Sequence, residues 1–191
     1  MKDEFLSIVY DNIQRKGIEN LVKWLEEGSD FYTAPASTKF HLSEESGLIK
    51  HSINVYNRLV REVKEEYGDS GPYSDETIAI VSLFHDLCKT NFYVQSMRNV
   101  KDEKGNWTSV PYYTIDDKLP MGHGEKSLYM MQNFMRLTLD EALAIRWHMG
   151  QFDDSAKGGS YSMNSAFNTC PLAVLLNMAD LKATYLDEVK K

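Results

Sequence analysis

Five histidines are spread along a chain of 191 residues, and one of them, His85, directly precedes an aspartate, Asp86, with Lys89 one helical turn further on. The pair follows the apolar run Ile78, Ile80, Val81, Leu83 and Phe84, which places it at the end of a buried helix. Imidazole nitrogens and carboxylate oxygens bind divalent ions, and an ammonium beside them suits a phosphate. One His-Asp dipeptide is weak evidence, because it arises readily by chance. The rest of the chain strengthens it: His51 lies upstream, His123 and His148 lie downstream, and Asp180 falls near the end.

Adjacent helical residues point about 100° apart, so His85 and Asp86 share an ion only if other helices bring further ligands. His51 and Asp180 are suitable, and Asp86, with two oxygens, can bridge to a second ion held by His123 and His148. Neutral imidazoles with carboxylates favour one or two ions of Mn, Fe, Co, Ni or Zn, with Mg admissible. Such ions bind phosphoryl oxygens and lower the pKa of a water. Each histidine alone reads as a hydrogen-bonded core residue, and Asp180 alone as a helix cap. Together, four inward histidines and two aspartates among Leu, Ile, Val and Met are a costly burial without a cation.

The elements that must position these residues are mostly helices. Phe5, Ile8, Val9 and Ile13 form one apolar stripe over residues 3 to 14, and Ile18, Leu21, Val22 and Leu25 form a second that Gly28 ends. Residues 29 to 44 read as a loop. His51 shares a helix face with Leu48, Val55 and Leu59, so its ring points inward. Ser74 starts the helix leading to His85. From Tyr93 to Ile115 the pattern becomes two short strands around Asp102-Glu103-Lys104-Gly105-Asn106, a hairpin inserted beside the site. Gly122 to Glu125 opens a helix with Ser127, Met130 and Phe134 on one side. Thr138 to Glu141 has capping-box spacing and starts the helix delivering His148. Residues 150 to 165 read as a mobile loop, and the last helix starts near Thr169 or Pro171 and carries Asp180.

Composition bounds the rest. With 42% apolar and 26% charged residues, the chain predicts one globular domain, all-α with a small β-hairpin at 93–115, helices at 1–28 and a metal-binding core at 45–188. A formal charge of -7 disfavours extended nucleic acid as a partner and leaves room for a small anion in a local positive pocket. Cys88 and Cys170 are too few for a disulfide framework, and Cys88 reads as a buried free thiol. No apolar run suggests a signal sequence or membrane span, so the expected location is cytoplasmic, without a membrane partner. Oligomeric state does not follow from these features.

The order His51, His85-Asp86, His123, His148, Asp180, with His-Asp-x-x-Lys at 85 to 89, resembles the HD superfamily of metal-dependent phosphohydrolases. The resemblance covers about His41 to Glu188 and is greatest to the branch that includes the HD domain of bacterial 3′-to-5′ exoribonucleases, whose lead-in His41 to His51 resembles. It implies an HD-domain helical bundle. The implied first metal position is His51, His85, Asp86 and Asp180, and the second is His123 and His148 with Asp86 bridging. Asp86 and Lys89 would carry the chemistry, and Lys89 with His41 would contact substrate. Where that branch often has His-His-Gly, this chain has His148-Met149-Gly150. It also has no room for the accessory domain of the exonucleases, which makes a nucleotide or short oligonucleotide the expected substrate. Two alternatives remain open: an HD-fold di-iron oxygenase, which shares the ligand order, and a non-catalytic nucleotide-binding module, which the complete ligand set disfavours.

Overall fold

A computed structural model describes residues 1–189. Its helices are α1 (Lys2–Asn12), α2 (Ile18–Glu27), α3 (Gly47–Tyr67), α4 (Asp75–Phe84), α5 (His123–Gln132), α6 (Leu139–Trp147), α7 (Asp154–Lys157), α8 (Ser162–Thr169) and α9 (Pro171–Lys182). Strands β1 (Tyr93–Lys101) and β2 (Trp107–Ile115) lie between α4 and α5. The chain is therefore mostly helical with a two-stranded antiparallel sheet. No described helix is long and apolar enough to cross a membrane.

The first two apolar stripes are realised as α1 and α2, whose Phe5, Val9, Leu21 and Leu25 are buried. Gly17, at φ +105°, starts α2 where a Cβ would lie 2.0 Å from the Phe134 carbonyl oxygen, so this close crossing requires glycine. Helix α3 packs on α4 and α9, and α6 packs on α5 and α9. Leu48, His51, Val55 and Leu59 all face inward from α3. Ser74 caps α4 by accepting from the Thr77 amide, and Thr138 with Glu141 forms a reciprocal capping box on α6.

In the hairpin, Tyr93 pairs with Ile115 and Lys101 with Trp107. Its turn is held by Asp102 Oδ1, which accepts from the amides of Lys104 and Asn106, while Gly105 takes φ +81°.

Residues 150 to 165 differ from the expected loop. They contain a 3₁₀ turn at Gly150–Phe152, helix α7 and the start of α8. Asp153 supplies the reason: its carboxylate accepts from the Ser155 and Ala156 amides at the start of α7 and pairs with Arg146 at 2.8 Å. The Gly and Ser content hides this cap.

A second feature was not expected. Glu141 is fully buried, and both its oxygens receive Arg15, at 2.5 and 3.0 Å, with Thr77 Oγ1 at 2.9 Å and the Thr138 amide at 2.8 Å. This joins the α1–α2 connection to α4 and α6. Arg15→Ala strands a buried carboxylate and is expected to cost roughly 2–4 kcal/mol, somewhat less than breaking a fully buried pair because the guanidinium is partly exposed. Chemical denaturation measures it; an unchanged midpoint would show that Glu141 finds another partner.

Candidate metal centre

The chain turns sharply between His85 and Asp86. Helix α4 ends at Phe84, His85 caps it, and Asp86 at φ -101°, ψ 21° leads into a 3₁₀ turn at Leu87–Lys89. The break lets neighbouring residues aim at one point, which a straight helix would not allow. His51 arrives from the first turns of α3, His123 begins α5, His148 caps the end of α6, and Asp180 lies on α9. Gly124 brings α5 close to α6: a Cβ there would meet the Arg146 carbonyl oxygen at 2.1 Å.

The hydrogen bonds assign the ring tautomers. His85 Nδ1 lies 2.7 Å from the Ser82 carbonyl oxygen and His148 Nδ1 lies 2.7 Å from that of Ile145. Carbonyls only accept, so each Nδ1 carries a proton, which leaves Nε2 facing inward as the position for an ion. His51 Nδ1 lies 3.0 and 3.1 Å from the two oxygens of Glu188, with the same consequence. The Nε2 atoms of His51 and His85 then face one another at 3.3 Å. Two lone pairs at that distance require a cation between or beside them, either a proton or a metal. His148 Nε2 is buried without a hydrogen-bond partner.

The carboxylates complete two overlapping groups. Asp180 Oδ1 lies 3.2 Å from His51 Nε2, and Asp86 Oδ2 lies 3.5 Å from Nε2 of both His51 and His85. On the other side, Asp86 Oδ1 lies 2.8 Å from His123 Nε2 and 3.5 Å from His148 Nε2. Each oxygen of Asp86 thus faces a different pair of histidines. Ligand atoms of His51, His85 and Asp180, and of His85, Asp86 and His148, lie close enough to share an ion. All six expected ligands come together.

The two expected substrate contacts are also at this centre. His41 lies with its ring centroid 5.0 Å from that of His51, so every histidine in the chain is here. Lys89 is buried rather than exposed, and its ammonium is 2.6 Å from Asp86 Oδ2. It therefore neutralises the central carboxylate as well as facing the cavity.

The electrostatics follow from burial and neighbours. Burial opposes the charged ring of His51, but hydrogen bonds to Asp180 and Glu188 outweigh it and carry its pKa up to about 10. For His123 burial is likewise outweighed, by Cys88 and Asp86, and the pKa again rises to about 10. Burial wins for His85 and His41, both pushed down to about 4. Asp86 is held well below the usual carboxylate range despite burial, chiefly by Lys89 and His85.

These shifts predict a narrow stability optimum for the metal-free protein. A histidine whose folded pKa exceeds its unfolded 6.5 stabilises fully below 6.5 and loses that contribution as pH rises to about 10, as for His51 and His123. His85 and His41 act oppositely, costing stability as pH falls from 6.5 to about 4. Melting temperature after chelation is expected to peak near pH 6.5. A bound ion replaces the ring proton, so the alkaline decline should shrink in metal-replete protein. Identical alkaline limbs with and without metal would contradict metal binding by these rings.

Sequence reasoning missed two neighbours. Cys88, read only as a buried thiol, has Sγ 3.5 Å from Nδ1 and 3.4 Å from Nε2 of His123. With Asp86 and His123 it forms a further group whose ligand atoms lie close enough to share an ion, so the sulfur is a candidate ligand that the spacing of histidines and aspartates alone does not reveal. Glu188, which follows Asp187, is buried against His51. Nothing local in the sequence marks it.

The centre opens into a cavity of about 900 Å³. Asp86, His123, His148 and Asp180 line it together with Lys89, Lys39, Phe40, Phe152, Lys157 and Tyr185. No family model, curated protein or solved structure matches the chain.

Proposed function

We propose that this protein is a metal-dependent phosphohydrolase of the HD type, acting on a small phosphorylated substrate, a nucleotide or the end of a short oligonucleotide. The observation that carries the reading is the convergence of inward Nε2 lone pairs from His51, His85 and His148 on the two oxygens of Asp86. Asp86 would bridge two positions, the first completed by His51, His85 and Asp180 and the second by His123 and His148. When bound, divalent ions supply Lewis acidity and a lowered water pKa to phosphoester hydrolysis.

The chain's own residues support the rest. Lys89 lines the cavity beside Asp86, and Lys39 and Lys157 add positive charge to its walls in a protein of net charge -7. That local charge favours an anionic substrate. Phe40 and Tyr185, 83% and 61% exposed on the same cavity, offer apolar faces to a nucleobase. A cavity of about 900 Å³ admits a ligand of nucleotide size.

The test is metal analysis of the purified protein followed by a phosphoester screen with Mn, Co, Ni, Zn, Mg and Fe. Hydrolysis that depends on added metal and disappears on chelation is expected. Two equivalents of iron with an oxidation-linked absorption band, and no hydrolysis with any ion, would instead assign the oxygenase.

A further inference from the structure

We propose that Glu188 is a positioning residue of the metal centre: its carboxylate fixes the tautomer and tilt of His51, so that the ring offers Nε2 to the ion. This rests on the metal-binding part of the function proposed above but not on its chemistry.

The three inward rings solve the same problem in two ways. His85 and His148 lie at the C-terminal ends of α4 and α6, where the last carbonyls have no helical amide to accept from, and each Nδ1–H takes the carbonyl three residues back. His51 has no such option. It lies inside α3, where the preceding carbonyls already serve the helix, and Ser52 Oγ also donates to Leu48. Its Nδ1–H must find an acceptor outside its own helix. The only acceptor hydrogen-bonded to it among the described residues is Glu188, 137 residues away.

Glu188 is held for this purpose. It is 7% exposed, and its Oε1 also accepts from Asn54 Nδ2 at 2.9 Å. The preceding Asp187 pairs with Arg58 through two nitrogens, at 2.8 and 2.5 Å, and Lys182 pairs with Glu62 at 2.6 Å. His51, Asn54, Arg58 and Glu62 follow one another at helical spacing, so a single stripe of α3 grips the end of α9 and the segment after it. Between Asp180 and Glu188 the helix widens into a π turn at Ala183–Asp187, closed by the Glu188 amide on the Ala183 carbonyl. The wide turn resets the register, so that Asp180 meets one nitrogen of His51 and Glu188 the other. A carboxylate on the far nitrogen orients a ligating imidazole and increases its basicity.

Titration of Mn²⁺, and separately Zn²⁺, into the metal-stripped full chain tests this without substrate. Glu188→Ala is expected to weaken the tightest position about 10- to 100-fold while keeping the parent's stoichiometry at saturation. Glu188→Gln keeps an acceptor oxygen and is expected to fall between the two. If Glu188→Ala does not fold, Glu188→Gln decides, together with ¹⁵N spectra of the His51 ring, which should show Nδ1–H in the parent and a mixed tautomer in the variant. Parental affinity in both variants overturns the proposal. So does loss of a full metal equivalent in both, which would make Glu188 a ligand in the His41–His51–Glu188 group. Normal metal binding without turnover of any phosphoester would instead overturn the hydrolase reading and leave the role of Glu188 intact.

Discussion

Asp86→Asn is expected to empty both metal positions and abolish turnover, the largest effect of any single substitution in this chain. The side chain is 2% exposed, and its oxygens divide between two histidine pairs, His51 with His85 and His123 with His148. Asparagine keeps the shape and one acceptor oxygen for Lys89, so the fold survives, whereas alanine would strand a buried ammonium. The substitution removes the negative charge and the second oxygen, and an amide nitrogen turned toward two imidazole lone pairs is a donor where a ligand is needed. Among the described residues no other carboxylate pairs with histidines of both sets. Plasma emission spectrometry on the dialysed variant should find neither ion, while circular dichroism remains helical. Retention of one equivalent would show that His51, His85 and Asp180 hold an ion unaided and would remove Asp86 from its bridging role.

The same residue shows how far the sequence alone could be read. The convergence of these six side chains was legible because helical periodicity places His51 inward with Leu48, Val55 and Leu59, and because four inward imidazoles among apolar residues need a common partner. The hairpin and the Ser74 and Thr138 caps were legible for local reasons, since turn and cap chemistry lies within a few residues. What was hidden depends on contacts distant in sequence. Lys89 resembles an ordinary helix-terminal lysine until the turn after Asp86 folds its ammonium onto that carboxylate. Nothing near Glu188 marks it for burial until the π turn brings it under His51, and Glu141 is legible only as the capping-box acid of α6 until Arg15 arrives from the α1–α2 connection. In each case burial of a charged group is decided by a partner that pattern reading cannot supply. The helices within 150–165 were missed differently: glycine and serine suggested a loop, while Asp153 as a cap and buried Met163 and Ala166 organise the segment.

His148→Ala separates the two positions, and its expected signature is loss of one ion with the other retained. His148 Nε2 approaches Asp86 Oδ1, the oxygen that also meets His123, whereas His51 and Asp180 meet each other and Asp86 Oδ2 takes the His51 side. Its removal takes away the ring that packs on His85, centroids 4.9 Å apart, and leaves the approaches of Asp86 Oδ2 to His51 and His85 and of Asp180 to His51 without a missing partner. The backbone is also secured independently, because Asn177 Nδ2 donates to the His148 carbonyl at 2.6 Å and does not need the ring. The neighbouring Met149 cannot take over as an imidazole ligand. If both ions take part in the reaction, turnover should fall by roughly 10² or more, equivalent to a few kcal/mol of transition-state stabilisation. If a single ion suffices, the variant should bind one equivalent and keep nearly the parent's rate. Unchanged metal content with full activity would overturn the assignment of the second position, and the first position at His51, His85, Asp86 and Asp180 would stand without it.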